Sequence, residues 1–342
     1  EEEEALYRIV DTGYPLVGDE PTVPTEKAPD GRPIYNQTGK YGYHAGLYNV
    51  CCGNREVFSA SISKGFRDGD TYLTLAYTGQ DHENRSDMTS STSNSNFGKT
   101  GAVDFNNRMK NRSTYETEHS FLATLRSKHY FFGANAPTTF SLIYARESGN
   151  VKYPTFDTYT SRQSDYKARA FGYEFNLNDD SSSLLYIPTA DDPLVCYSSG
   201  CSDEGSQAAI EREQEVLNFL YNVWGLKGYA GEIAPRDAGN FPWQTSLDLN
   251  IVQEVPGFRE GDTFIITFAL ENLLNFIDDD KGIVNYGYYS GRVPVIDLRI
   301  VDNSKYDYSR NAFRYSFDDP FNIDRSTTQS LWRASLGIQY KF

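Results

Sequence analysis

Asp278, Asp279 and Asp280 put three carboxylates in a row. Carboxylates clustered on one turn suit a hard cation such as calcium, which takes oxygen ligands; a solvated acidic turn is the simpler reading. Asp179-Asp180 and Asp191-Asp192 are weaker versions of the same pattern. The histidines, His44, His82, His119 and His129, show no ligand spacing of the His-Glu-x-x-His kind. No Gly-x-Ser-x-Gly elbow or phosphate-cradling glycine loop occurs either, so the residues do not point to an enzyme. Cys196-Tyr-Ser-Ser-Gly-Cys201 reads as a short disulfide-closed loop and fits an oxidising compartment. Cys51 and Cys52 either form an adjacent pair or bridge to the other two. Tyr197, Trp224, Tyr229, Tyr286 and Tyr288 fall in predicted loops and are candidates for contact with a glycan or peptide. Packing between loops, or a girdle at a membrane interface, is the plainer use of such rings.

The elements that must position these groups are strands. The chain is rich in aromatics (15%) but only 39% hydrophobic, which suits strands with an apolar residue at every second position. From Ser330 to Phe342, Trp332, Ala334, Leu336, Ile338, Tyr340 and Phe342 fall on one face, and Arg333, Ser335, Gly337, Gln339 and Lys341 on the other. The same alternation runs through 243–255 and 263–270, joined by the turn Pro256–Gly261. Further hairpins pair 55–66 with 70–79 and 117–130 with 138–147, and a weaker one pairs 293–301 with 312–317. No apolar run is long enough for a transmembrane helix, but that does not bear on a transmembrane barrel, whose strands are about ten residues long and half apolar. The net charge of −15 disfavours nucleic acid as a partner.

Turns within hairpins are short, whereas the links between them, 80–116, 148–242, 274–292 and 318–329, are long. This is the asymmetry of a transmembrane antiparallel β-barrel, with long external loops and short periplasmic turns. The expected fold is therefore all-β: residues 1–54 an external loop region, residues 55–342 a carboxy-terminal portion of a barrel, and 148–242 a large external insertion. Within that insertion Ala208 to Lys227 reads as a helix capped by Ser206. Nine strands leave the ends on opposite sides, whereas single-chain bacterial barrels have even counts, so earlier strands are expected elsewhere, on this protein or on another chain.

Several segments in this order resemble the TonB-dependent outer-membrane receptors, in particular the Oar-like branch. They are Tyr77-Thr78 with Ser90-Ser91 and Ser95-Asn96-Phe97; Glu147-Ser148-Gly149 with Lys152-Tyr153-Pro154; Leu184-Leu185-Tyr186-Ile187-Pro188; Pro242-Trp243 with Leu247-Asp248-Leu249; and Glu271-Asn272-Leu273-Leu274-Asn275. The last strand, with Trp332, Tyr340 and Phe342, is similar to the terminal strand read by the barrel-assembly machinery. The resemblance implies a 22-stranded barrel, of which about nine strands are here, occluded by an amino-terminal plug. It implies uptake driven through that plug by an inner-membrane energy-coupling complex; neither plug nor coupling box is found in this sequence.

The expected function is an outer-membrane receptor and transporter, loops outside and carboxy terminus in the periplasm, binding a peptide, glycan or metal chelate. It would sit among outer-membrane lipids and lipopolysaccharide, with no cofactor beyond calcium in the external loops. The first alternative is an adhesin or a docking barrel for a surface lipoprotein. The second is a secreted all-β glycan-binding domain, which as a hydrolase would need a pair of catalytic carboxylates that nothing singles out.

Overall fold

The computed structural model describes residues 2–10, 26–27, 30–34, 44–88, 90–93, 96, 100–104, 106–157, 184–197, 205–286, 292–299, 313–316 and 324–342. Eight strands follow one another across a single antiparallel sheet: β1 (Glu2–Val10), β2 (His44–Phe66), β3 (Thr71–Asn84), β4 (His119–His129), β5 (Thr138–Glu147), β6 (Gln244–Pro256), β7 (Thr263–Glu271) and β8 (Arg333–Lys341). A two-residue ninth, Asn111–Arg112, pairs beside the end of β3. Because neighbours run in opposite directions, the short turns 67–70, 130–137 and 257–262 all lie at one end of the sheet, and the long connections at the other. In the first turn Gly69 sits at φ +95°, a conformation that costs glycine little and a residue with a Cβ much more.

The pairing register turns the sequence alternation into two faces. Ile62 stands opposite Leu75, Leu75 opposite Ala123, Leu142 opposite both Leu125 and Leu249, and Phe268 opposite Leu336. These residues share one side with Phe58, Phe121, Phe140, Phe264 and Tyr340. The other face carries Ser59 and Ser63, hydrogen-bonded across the strands to Thr78 (3.0 Å) and Thr74 (2.8 Å), together with Arg126, Asp248, Asn250 and Gln339. The apolar face is left uncovered: Phe58 is 64%, Ile62 68%, Leu336 70% and Ile338 71% exposed.

Seven of the predicted strands appear in the sheet, most within a few residues of their expected bounds, although β2 begins at His44 instead of near 55. The predicted hairpin of 293–301 with 312–317 does not join them, since β7 pairs directly with β8. Its strands, Arg292–Arg299 and Phe313–Ser316, do pair with each other, but in a separate five-stranded sheet with Val151–Asp157, Val195–Cys196 and Gly239–Asn240. The physical reason lies in Val293, Val295 and Ile296, all at most 4% exposed. Apolar side chains at adjacent positions cannot all face one side, so this strand needs cover on both faces. Of the nine predicted strands these two therefore leave the sheet, while β1 and Asn111–Arg112 join it. Seven strands run the length of the sheet, and β1 lies beside the long-connection end of β2 only, from Val10 opposite His44 to Glu2 opposite Gly53. Residues 1–54 thus contribute strands as well as connections. Over positions 54–66 the edge of β2 away from β3, and likewise the outer edge of β8, have no pairing strand among the described residues.

Above the long-connection end stands a platform with a core of its own, in which Leu185, Ile187, Val216, Leu220, Leu226 and Ile296 are fully buried. Helix α1 (Gln207–Asn218) begins as expected, with the Ser206 hydroxyl accepting from the Ala209 amide at 3.2 Å. It ends sooner than predicted, in a wide turn at Phe219–Val223 followed by Gly225 at φ +75°. The platform meets the sheet where Gly149 passes the Phe241–Pro242 backbone. A Cβ on Gly149 would collide with the carbonyl oxygens of both residues. Replacing Gly149 by Ala should therefore lower stability by on the order of 2 kcal/mol and loosen the platform first. Limited proteolysis should show earlier cleavage within 205–243 while the sheet strands stay protected.

Candidate functional site

Two surfaces have the extent and chemistry to do work: the uncovered apolar face of the sheet, and a polar hollow on its other face at the long-connection end. On the apolar face the rings gather in two belts. At the long-connection end Tyr77 lies 4.9 Å from Phe121 and 6.5 Å from Phe58, Trp243 stacks on His119 at 6.0 Å, and Phe276 meets Trp332 edge-on at 5.2 Å. At the short-turn end His129 stacks on Phe131 at 5.1 Å, and Phe264, Phe258 and Phe342 all surround Tyr340. Between the belts the register places mainly Ala, Leu and Ile with single Phe and Tyr residues, among them Leu73, Leu125, Leu249, Ile251 and Ile266, while Lys64 and Gln253 mark its lower margin opposite Leu73 and Ile266. Trp332, Tyr340 and Phe342 thus occupy opposite ends of one exposed strand face.

On the opposite face, where β5, β6, β7 and β8 reach the platform, a hollow of about 440 Å³ is lined by Glu147, Asp248, Glu271, Arg333, Gln244 and Ser246, with its roof from 272–284 and 328–331. Its carboxylates outnumber its guanidinium. Arg333 approaches Glu271 only to 3.7 Å, and both are well exposed. Asp248 is turned to a structural task, accepting the Asn272 amide at 2.8 Å. Asn272, at φ +51°, donates from Nδ2 to the carbonyls of Gly282 (2.9 Å) and Ser330 (2.7 Å), and Asn275 does the same to Asp279 and Lys281. The Glu271–Asn275 segment is therefore a clasp that holds the roof of the hollow to the sheet. Its two asparagines satisfy carbonyls that helix and sheet leave open.

The aromatic candidates separate. Tyr197 is 8% exposed, within the platform core. Trp224 and Tyr229 pack half-buried against that core. The Lys152 ammonium lies 4.6 Å above the Trp224 ring and 5.8 Å from that of Phe241, and burial pushes its pKa down. Tyr286 pairs through its backbone with Asp324; its side chain, Tyr288 and Cys201 lie outside the described residues. Cys196 is disulfide-bonded, and Cys51 and Cys52 are joined to each other. Asp278 accepts from the Asp280 amide at 3.1 Å and pairs with Lys281 at 3.1 Å; these two partners hold its carboxyl below the usual range. The three aspartates form no metal-holding group among the described residues.

Sequence reasoning missed Arg236. It is 1% exposed and donates to the carbonyls of Asn84 (2.6 Å) and Arg85 (3.2 Å) and to Asn84 Oδ1 (2.7 Å), pinning the platform to the end of β3. No local pattern around Ala-Pro-Arg-Asp marks it, because all its partners are more than 100 residues away. Nearby, Arg112 bonds the buried Glu116 (2.5 Å) and reaches Asn240 (2.9 Å).

No protein-family model matches the chain, and neither a curated protein nor a solved structure does.

Two platform phenols provide a pH test. Burial first, and then Asp192, which accepts the Tyr186 hydroxyl at 2.9 Å, push the Tyr186 pKa up; burial, Asp192 and Glu213 raise that of Tyr221. Unfolded tyrosine ionises near 10. Both phenols therefore contribute fully below that pH, and the contribution is lost as the pH rises through the higher folded values. The platform's thermal midpoint should fall between pH ~9 and pH ~11, as the two phenols ionise on opening. Tyr186→Phe should flatten the fall, and an unchanged slope would contradict the assignment.

Proposed function

We propose that the sheet is part of the wall of a transmembrane β-barrel in a bacterial outer membrane, and that the protein works as a receptor of the TonB-dependent type, with the platform outside. The observation that supports this most is the belted apolar face. From His119 to His129 the strand runs about 33 Å at 3.3 Å per residue, and a tilt of ~40° brings that to about 25 Å, the height of the apolar band on known outer-membrane barrels. Leaving such a face in water would forgo about 1.5–3 kcal/mol for each large side chain, and contiguous apolar patches of this size mark contact with lipid or protein. The polar face then lines the interior. The hollow bounded by Glu147, Asp248, Glu271 and Arg333 opens there, at the long-connection end. A peptide, glycan or chelate entering from outside would meet it, and its acidic balance favours a ligand that carries amino or guanidino groups. The resemblance of the ordered motifs to Oar-like receptors gives the same reading. The plug and the energy-coupling complex that such receptors use would be partners supplied from outside the described residues.

One observation favours the docking or adhesin reading of the same barrel. Tyr197, Trp224 and Tyr229 are taken up in packing the platform instead of lining an open cleft, so the platform also suits a rigid surface on which a second protein sits.

Extraction tests the membrane reading. The native protein should resist alkaline carbonate and high salt, dissolve in detergent, and migrate differently in gels before and after boiling, as closed barrels do. A chain that washes free without detergent would overturn the proposal and leave the secreted β-domain in its place.

A further inference from the structure

Below the upper belt, the apolar face carries a concavity of about 450 Å³. Ala60 and Ala123 give it a shallow floor, and Ile62, Leu75, Phe121 and Tyr144 form its walls. The register explains the dip: Ala123 lies between Leu75 on β3 and Tyr144 on β5, and Ala60 stands beside Tyr77, so small side chains are framed by large ones. The rim towards the platform is polar and cationic. Arg146 stands opposite Phe121 in the register, and its guanidinium lies 5.1 Å above the Trp243 ring. Next to it the His119 ring stacks on Trp243 and shares a 3.0 Å hydrogen bond with the Tyr77 hydroxyl. Glu118, 3.5 Å from the His119 ring, is already held by Arg112 at 3.1 Å. Arg146 is exposed and pairs with no carboxylate among the described residues.

We infer that this concavity and rim form a binding site for a lipid of the surrounding bilayer that carries an anionic phosphate, its acyl chain along Ala60 and Ala123 and its phosphate on Arg146. The inference rests on the membrane reading above and adds a discrete, charge-selective site to it. Charge complementarity supports it: the apolar floor excludes a polar ligand, and an unpaired guanidinium at headgroup height suits a phosphate, which it can grip through two parallel N–H bonds. The aromatic neighbours fit the same level, where ring faces and hydroxyls meet lipid headgroups.

Trp243 can report on the site. With Trp224→Phe and Trp332→Phe in place it is the remaining tryptophan of the three in the chain. The full protein would be reconstituted into phosphatidylcholine vesicles doped with either dibrominated phosphatidylglycerol or dibrominated phosphatidylcholine, and Trp243 fluorescence quenching measured. The expected result is quenching by the anionic lipid at about fivefold lower mole fraction, the selectivity of one basic residue near a charged headgroup. Arg146→Gln and Ala123→Phe should each remove that preference, while Lys64→Gln at the opposite belt leaves it intact. Should Ala123→Phe fail to insert, Arg146→Gln, which alters an exposed side chain, still decides the matter. Equal quenching by both lipids, insensitive to Arg146, would overturn the site and leave the membrane reading standing. Absence of quenching by either lipid would overturn both.

Discussion

The ladder of hydrogen bonds between antiparallel strands fixes this structure, because it forces successive side chains to opposite sides and leaves no third direction. A slip of one residue would exchange the two faces entirely, and here the faces differ sharply. From Phe58 on β2 to Tyr340 on β8 one side is apolar across seven strands, while Ser59, Asp248 and Gln339 stand on the other. Among the described residues nothing is packed on the apolar face, where Phe58, Ile62, Leu336 and Ile338 stay exposed, so the wall does not close on a core there. The aromatic belts, the polar lining and the uncovered edges follow from that single geometric rule.

The platform obeys a different constraint. Its strands are short and its helix buries Ala209 and Val216 alone, so it must bury residues such as Ile187, Leu220 and Ile296 on all sides. It is therefore built like a small soluble domain, joined to the wall by polar groups that are themselves buried. Arg236 satisfies the carbonyls at the end of β3, Arg112 links Glu116 to Asn240, and Asn272 and Asn275 clasp the roof of the hollow. Buried polar groups are costly unless each finds its partners, so Arg236 and Arg112 hold the platform at the end of β3, and the asparagines hold the roof of the hollow to the sheet.

The wall was legible in the sequence because a period of two is a local signal. The bounds of β5 and β7, the short turns and the Ser206 cap could all be read within a dozen residues. The segment 293–301 misled for the converse reason: it is apolar enough to be a strand, but Val295 and Ile296 are neighbours, and their burial on both faces depends on partners at 151–157 and 313–316. Tyr197 was singled out as a possible ligand contact by its type and loop position, yet burial is a tertiary property that no window of sequence records. Arg236 was invisible on the same grounds. The concavity under Arg146 was hidden too, since it arises where Ala60 and Ala123 fall beside larger side chains of neighbouring strands, which only the register discloses.

The most direct test of this account is the accessibility of single residues along β8. All described cysteines are disulfide-bonded, so a cysteine introduced in turn at Ser335, Leu336, Gly337, Ile338 and Gln339 can carry a nitroxide label with little background. In lipid bilayers, relaxation by oxygen, which concentrates in hydrocarbon, should dominate at 336 and 338, and relaxation by a water-soluble nickel chelate at 335, 337 and 339. A uniform response along the strand, or nickel access at Leu336 and Ile338, would contradict a wall with lipid on one side and water on the other.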